Sequence, residues 1–348
     1  MNINTISDTI LDEASSAEQL RDALDAFVLL CGEITNIRPD PSFNAWAQDS
    51  LLDNGIAINA QAAAHCALDY ARSVVFIRGV YAAINALQLR LPGTVLEILY
   101  AGCGPFATLL LPLLGKVDAG KIRLSLLDVH QRSLDSVKLL LTHFGFSSHT
   151  VQTIRADACH YKHPDKLHLI IVEAMQKSLE QEPQFAITAN LAPQLSPYGI
   201  FIPQRIDVSL CLANLEHEKE LSKPSQRRGV NELKKYTERY LIKTICTLHP
   251  ECAFDQMQRA QTNSDGIRLE LEPIIMEIPV MASVAQLDPA LFTTVCVFEQ
   301  YTLQDYDSQI TLPLKCHELL PLVGGDRHQI SYQLGSYPRF NFKRLNKE

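Results

Sequence analysis

Apolar positions in the first ninety residues recur at helical spacing. Leu20, Leu24, Phe27 and Val28 fall on one face. Just ahead of them, Ser15-Ser16-Ala17-Glu18 has the form of a capping box, Ser15 capping and Glu18 reaching back. Arg38-Pro39-Asp40-Pro41 breaks this helix, because each proline restricts the residue before it. An alanine-rich helical pattern resumes over 61–89. At Pro92-Gly93 the period changes. Residues 94–100 form a short apolar run ending in glycines, and 106–114 read as a helix behind it. Strands are expected at 123–127, 150–155 and 167–172, with a helix over 133–144 between the first two. Strands alternating with helices predict a parallel sheet covered on both faces. Such sheets bind ligands beyond the carboxyl ends of their strands, where Gly102, Asp128, Asp157 and Glu173 all fall.

After Pro203 the character shifts. Residues 215–239 are charged and include Arg227-Arg228 and Lys234-Lys235. Alternating or β-branched runs follow at 268–272, 293–298, 309–312 and 329–334, with Gly324-Gly325-Asp326 as a turn. The expected architecture is an α/β chain in three parts. A helical segment spans 1–91, a doubly wound, Rossmann-like cofactor domain spans 92–204, and a mostly antiparallel β-rich domain spans 205–348.

Composition narrows the classes. The 348 residues are 47% apolar and 20% charged, ordinary for a globular chain of about this size, with room for two domains. A net charge of −8 argues against non-specific nucleic-acid binding, which rewards a basic surface. Nine dispersed cysteines without a CxxC imply reduced thiols and a cytoplasmic protein. Residues 1–12 are too polar for a secretory signal, and the apolar stretch at 108–114 is far short of the ~20 residues a membrane span needs. Cys159-His160, His163 and His168 match no common ligand spacing, so no metal is expected.

The most informative stretch is Leu99-Tyr100-Ala101-Gly102-Cys103-Gly104-Pro105-Phe106-Ala107. A strand turns sharply here; glycines permit the φ values and let a ligand approach the backbone. A helix N-terminus behind the turn would favour a carboxylate or phosphate. Gly102-x-Gly104-x-x-Ala107 also fits the dinucleotide fingerprint, so a nicotinamide-dependent oxidoreductase stays open. Asp128 ends the second strand, where a carboxylate accepts from both ribose hydroxyls of either cofactor. Asp157-Ala158 ends the third, placed to accept from an adenine amino group or to serve as a plain helix cap.

This arrangement resembles the class I S-adenosylmethionine-dependent methyltransferases over about residues 50–205. The resemblance implies S-adenosylmethionine as cofactor, held by Tyr100, Gly102, Cys103, Gly104, Pro105 and Phe106. It implies ribose on Asp128 beside Val129, and adenine near Asp157 and Ala158. Tyr100 stands where the family has an acidic residue, Glu97 lies three positions earlier, and Phe106 replaces the family's third glycine.

Beyond the fourth strand, Glu173 and Glu182 are nine residues apart, with Met175 two after the first and Gly199 and Pro203 downstream. Upstream runs Asp69-Tyr70-Ala71-Arg72-Ser73. Both patterns resemble the protein arginine methyltransferases. That resemblance implies that Arg72 grips the cofactor carboxylate and that Glu173 and Glu182 are catalytic; Glu180 rivals Glu182 for the second position. Two carboxylates suit the chemistry, because they clamp a cationic nitrogen, stabilise its developing charge and accept its proton. The family's Thr-His-Trp loop is absent, since Trp46 is the only tryptophan. The methyl acceptor is therefore a small amine or guanidine metabolite as readily as a protein side chain. Residues 215–240 resemble the family's dimerisation arm and imply a homodimer. A catalytically silent, cofactor-binding module acting through a partner is the competing reading.

Overall fold

The computed structural model describes residues 1–39, 50–221, 239–262, 268–281 and 284–346. Helices α1 (Ile3–Leu11) and α2 (Ala17–Thr35) open the chain. The capping box of α2 is formed by Ser16 and Gln19, one residue later than expected. Ser15 is diverted, because its hydroxyl donates to the Thr9 carbonyl at 2.8 Å. Leu24, Phe27 and Val28 are buried, and Leu20 packs at the edge of the same core. The helix stops at Asn36, a left-handed C-cap with φ 54°, before the prolines are reached. Asp40 and Pro41 lie outside the described residues.

A hairpin follows, β1 (Ser50–Leu52) against β2 (Gly55–Ala57), and then α3 (Ala60–Cys66) and α4 (Tyr70–Arg90). The alanine-rich pattern thus makes two helices rather than one. Helix α4 buries residues around most of its circumference, from Arg72 to Leu87, because it packs against both a parallel and an antiparallel sheet.

Next come β3 (Leu96–Ala101), β4 (Ile122–Asp128), α5 (Gln131–His143), β5 (Thr150–Arg155), β6 (Leu167–Val172), α6 (Gln184–Leu191) and β7 (Leu195–Ile202). The five strands form one parallel sheet in the order β5-β4-β3-β6-β7. The chain winds outward from β3 through β4 and β5, then returns to lay β6 on the other side of β3. That reversal opens a crevice beyond the carboxyl ends of β3 and β6. Gly102 follows β3, and Glu173 follows β6.

The helix expected over 106–114 does not form. Turns and a short 3-10 segment, Leu111–Lys116, occupy the stretch. Ala107 has φ 42°, Pro112 follows, and Leu109, Leu110, Leu111, Leu113 and Leu114 are all buried. A segment apolar on every side can be buried without helical periodicity, and a left-handed residue at its start prevents a helix from propagating.

The remainder is β8 (Arg205–Ala213), α7 (Leu215–Leu221), β9 (Arg239–Leu248), α8 (Pro250–Gln258), β10 (Gln261–Thr262), β11 (Arg268–Glu270), β12 (Ile274–Glu277), β13 (Asp288–Phe298), β14 (Tyr301–Leu303), β15 (Leu314–Lys315), β16 (Arg327–Gln333) and β17 (Arg339–Arg344). Two antiparallel sheets result, β14-β13-β8-β9 with β15 on β13, and β10-β11-β16-β12 with β17 on β16. The architecture is a doubly wound α/β sheet with a helical start and a β-rich C-terminal part. One expected strand is absent: 309–312 is a 3-10 turn, Gln309–Thr311, capped by Ser308. Ile310 and Thr311 are buried consecutively, which a half-buried strand cannot do. Of the expected arm, the basic run from Arg227 to Lys235 falls in 222–238, outside the described residues. At its edge Arg239 donates from Nε and Nη2 to Glu218, pairs with Asp305 and stacks over Phe292 at 3.8 Å.

Candidate functional site

The crevice beyond β3 and β6 deepens into a cavity lined by Gly102, Cys103, Gly104 and Pro105 from the turn and by Tyr100 from β3. Gly102 and Gly104 have φ 72° and 62°. A Cβ on Gly102 would meet nothing nearer than 3.7 Å, so backbone conformation rather than space demands glycine there. The Gly102 and Cys103 amides donate to the Leu127 carbonyl, and the Gly104 amide donates to Asp128 Oδ2 at 2.9 Å. The end of β4 therefore fixes the turn. Phe106 is not part of the cavity: its ring stands edge-on to Phe27 at 6.3 Å in the core. With no helix behind the turn, the expected helix-end site for an anion is also missing.

Asp128, Val129, Asp157 and Ala158 line the same cavity. Asp128 is buried and accepts a second amide, from His130, on Oδ1 at 2.8 Å. Asp157 Oδ1 accepts from the Cys159 amide at 2.8 Å, closing a local turn that leaves its other oxygen unused by that bond. Glu97 lies elsewhere, paired with Arg123 near the opposite end of the sheet.

Arg72, Glu173 and Glu182 close the cavity. Arg72 sits one turn into α4, buried, with Nη2 donating to Glu173 Oε2. Glu173 Oε1 is buried without a hydrogen-bond partner among the described residues. Burial raises the Glu173 carboxyl above its ordinary value of 4.5, with Arg72 opposing that rise. Burial works against the Arg72 charge, but Glu173 more than restores it, so the guanidinium stays ionised. Glu182 is buried, and Gln176 Nε2 donates to its Oε1 at 3.0 Å. Glu180 does not line the cavity; it faces Glu318, Lys177 and Arg339.

The loop bearing these carboxylates is strained, with positive φ at Ser178, Leu179 and Gln181. The C-terminal part holds it in place. The Ser178 amide donates to Thr293 Oγ1 at 3.1 Å, Tyr332 OH to the Leu179 carbonyl at 2.6 Å, and the Gln181 amide to the Pro338 carbonyl at 2.8 Å.

Sequence reasoning missed several residues here. Cys66 lines the cavity beside Arg72, its thiol pushed up to about 11 by burial. Leu52, Ile56, Ala57 and Ile58, in and just after the hairpin, form an apolar wall. Asp53-Asn54-Gly55 is turn chemistry that could have signalled it. Asp69, at the N-cap of α4, makes no capping bond; its Oδ2 accepts from Ser308 Oγ at 2.6 Å and the Gln309 amide at 2.9 Å. Nothing in the sequence announces that contact. The histidines set aside as metal ligands scatter: His163 meets Ser125, and His168 accepts from the Glu97 amide.

Fold and site together define a pocket at the switch point of a parallel sheet, walled by Glu173, Glu182 and Arg72. No known family model matches the sequence, and no curated protein matches it. Among solved structures, a chain of the Trypanosoma brucei PRMT1 enzyme–prozyme heterotetrameric complex with AdoHcy is similar at 11% identity. The match covers 80% of this chain and 96% of that one, with a TM-score of 0.44. Arabidopsis thaliana protein arginine methyltransferase 10 is similar at 12% identity, over 76% of this chain and 85% of that one, with a TM-score of 0.43. The likeness is distant.

Proposed function

We propose that this chain is an S-adenosylmethionine-dependent methyltransferase acting on a cationic or basic nitrogen, an amine or a guanidine. The observation that carries the reading is Glu173: a buried carboxylate with one oxygen on Arg72 and the other aimed at no donor. A buried acceptor left unmade costs about 1–3 kcal/mol, which a ligand N–H would recover. The residues around it fit the cofactor. Asp128 would take the ribose hydroxyls, Asp157 the adenine edge, and Arg72 the carboxylate end, with the glycine turn giving backbone approach. The cofactor supplies, when bound, an electrophilic methyl group on a sulfonium. The chain's own part is to orient the acceptor between Glu173 and Glu182, hold its developing positive charge, and receive the proton at a carboxylate oxygen.

The dinucleotide reading is weaker. That fingerprint works by placing a pyrophosphate at a helix N-terminus, and no helix starts behind Gly104. Calorimetry separates the two: S-adenosylhomocysteine binds and NAD does not. The reverse result overturns the proposal. A labelled-methyl assay on cell extract, split into macromolecular and small-molecule fractions, identifies the acceptor class. A catalytically silent module would bind S-adenosylhomocysteine and transfer no methyl to either fraction. The proposal extends to a cytoplasmic homodimer joined through 215–240; sedimentation equilibrium showing a monomer at micromolar concentration removes the dimer.

A further inference from the structure

The hairpin β1–β2 has no periodic pattern to explain it and too few residues for a core of its own. Its exposure alternates at the first strand: Leu51 is 71% exposed while Leu52 faces the cavity. Ile56, Ala57 and Ile58 line the same cavity, so residues from both strands and from the segment just after them give it an apolar wall. Such a wall suits the flat, weakly polar faces of a purine and not a charged group.

Two contacts hold this wall in place, one at each end of the cavity. At the Asp128 end, Ser50 Oγ lies 3.1 Å from His130 Nε2, and His130 Nδ1 lies 3.4 Å from Asp128 Oδ1. With the Nδ1 proton turned toward the carboxylate, Nε2 accepts from the serine hydroxyl. At the other end, the Ile56 amide donates to the Gln181 carbonyl at 2.8 Å, one residue before Glu182. Gly55 makes that approach possible. Its φ is 148°, and a Cβ there would meet Gln181 O at 2.9 Å and Pro183 N at 2.8 Å. The backbone of the hairpin thus lies directly on the two-glutamate loop.

We propose that the hairpin is a binding element for the adenosyl group, and that Ser50 and His130 are positioning residues that set how long the cofactor stays. This rests on the methyltransferase reading. The hairpin spans from the carboxylate that would hold ribose to the loop that would hold the acceptor, so its two clasps fix the cavity wall on both sides of the cofactor. Ser50 does not line the cavity itself. Its partner His130 does, so loss of the Ser50 hydroxyl acts on a bound cofactor through the hairpin and through the His130 ring.

The test is release of radiolabelled S-adenosylhomocysteine into an excess of unlabelled compound, from the unaltered chain and from Ser50→Ala, His130→Gln and Gly55→Ala. Loss of one hydrogen bond predicts release about fivefold to tenfold faster in Ser50→Ala, with the association rate unchanged. Gly55→Ala lifts the far end and speeds release as well. His130→Gln keeps an acceptor for Ser50 and stays closer to the unaltered rate than Ser50→Ala. Thermal melting of each ligand-free variant tracks folding separately. Amide exchange at Ile56 gives a second readout in the unaltered chain, slowed when S-adenosylhomocysteine binds. Unchanged release in both Ser50→Ala and Gly55→Ala, or unchanged exchange at Ile56, overturns the inference while leaving the methyltransferase reading intact. No binding of S-adenosylhomocysteine by the unaltered chain overturns both.

Discussion

The chemistry concentrates in a few side chains, and Glu173 is the most constrained of them. One of its oxygens is paired with Arg72, and the other is buried and unpaired. Replacing it with glutamine keeps the shape but removes the charge that would face the acceptor. Glu173→Gln is expected to lower methyl transfer by roughly 10²–10⁴-fold, the range for a lost acid–base or charge-stabilising group, while calorimetric binding of S-adenosylhomocysteine changes far less. Equal activity in the variant would sink the two-glutamate mechanism.

The same residue gives a pH dependence whose sign can be worked out. Burial raises the folded-state pKa of Glu173 above 4.5, so the ionised form needed for catalysis is lost at a higher pH than for an exposed glutamate. The acid limb of kcat/KM should lie above pH 4.5 and disappear in Glu173→Gln. For stability, an acid with a raised folded pKa contributes fully below its unfolded pKa, and the contribution is lost as pH rises through the folded value. Denaturant titrations of the unaltered chain against Glu173→Gln should show the difference falling over that window.

Single elements decide whether those side chains meet. At the glycine turn the demand is conformational, because Gly102 has room for a Cβ but a positive φ. Gly102→Ala should cost about 1–2 kcal/mol in a denaturant melt, and Gly102→Asn less, since asparagine tolerates the left-handed region better. Equal costs would point to crowding instead. The Ser308 turn acts on α4 in a comparable way. Asp69 leaves its own helix uncapped to accept from Ser308 and Gln309, one turn before Arg72. Ser308→Ala removes the bond to Asp69 together with the cap it gives the Ile310 amide, and should cost about 1–2 kcal/mol and weaken cofactor binding more than it lowers kcat. A loss of stability with unchanged cofactor affinity would make the contact merely structural.

Across the whole molecule, the parallel sheet supplies the crevice and the C-terminal sheets hold the loop that completes it. Thr293, Tyr332 and Pro338, all from the β-rich part, fix residues 178–181. The site therefore exists only when both parts are folded together. A ligand that binds this state stabilises it by linkage, about 2.7 kcal/mol at a hundred times its Kd. S-adenosylhomocysteine should raise the melting temperature in a concentration-dependent way, and NAD should leave it in place.

The four strands between residues 94 and 172, and the helix α5 among them, were legible in the sequence, because periodicity and glycine placement are local properties. So were the carboxylates at strand ends, since a parallel sheet sends every strand's end to one side. Tertiary structure alone decided the rest. It turned Glu182 and not Glu180 into the cavity, through left-handed residues whose conformation neighbours impose. It dissolved the expected helix at 106–114 and sent Phe106 into the core against Phe27. It also joined Asp69 to Ser308 across 239 positions and laid a six-residue strand pair over the pocket. Contacts that distant, and strands that short, leave no periodic trace along the chain, so only the folded packing selects them.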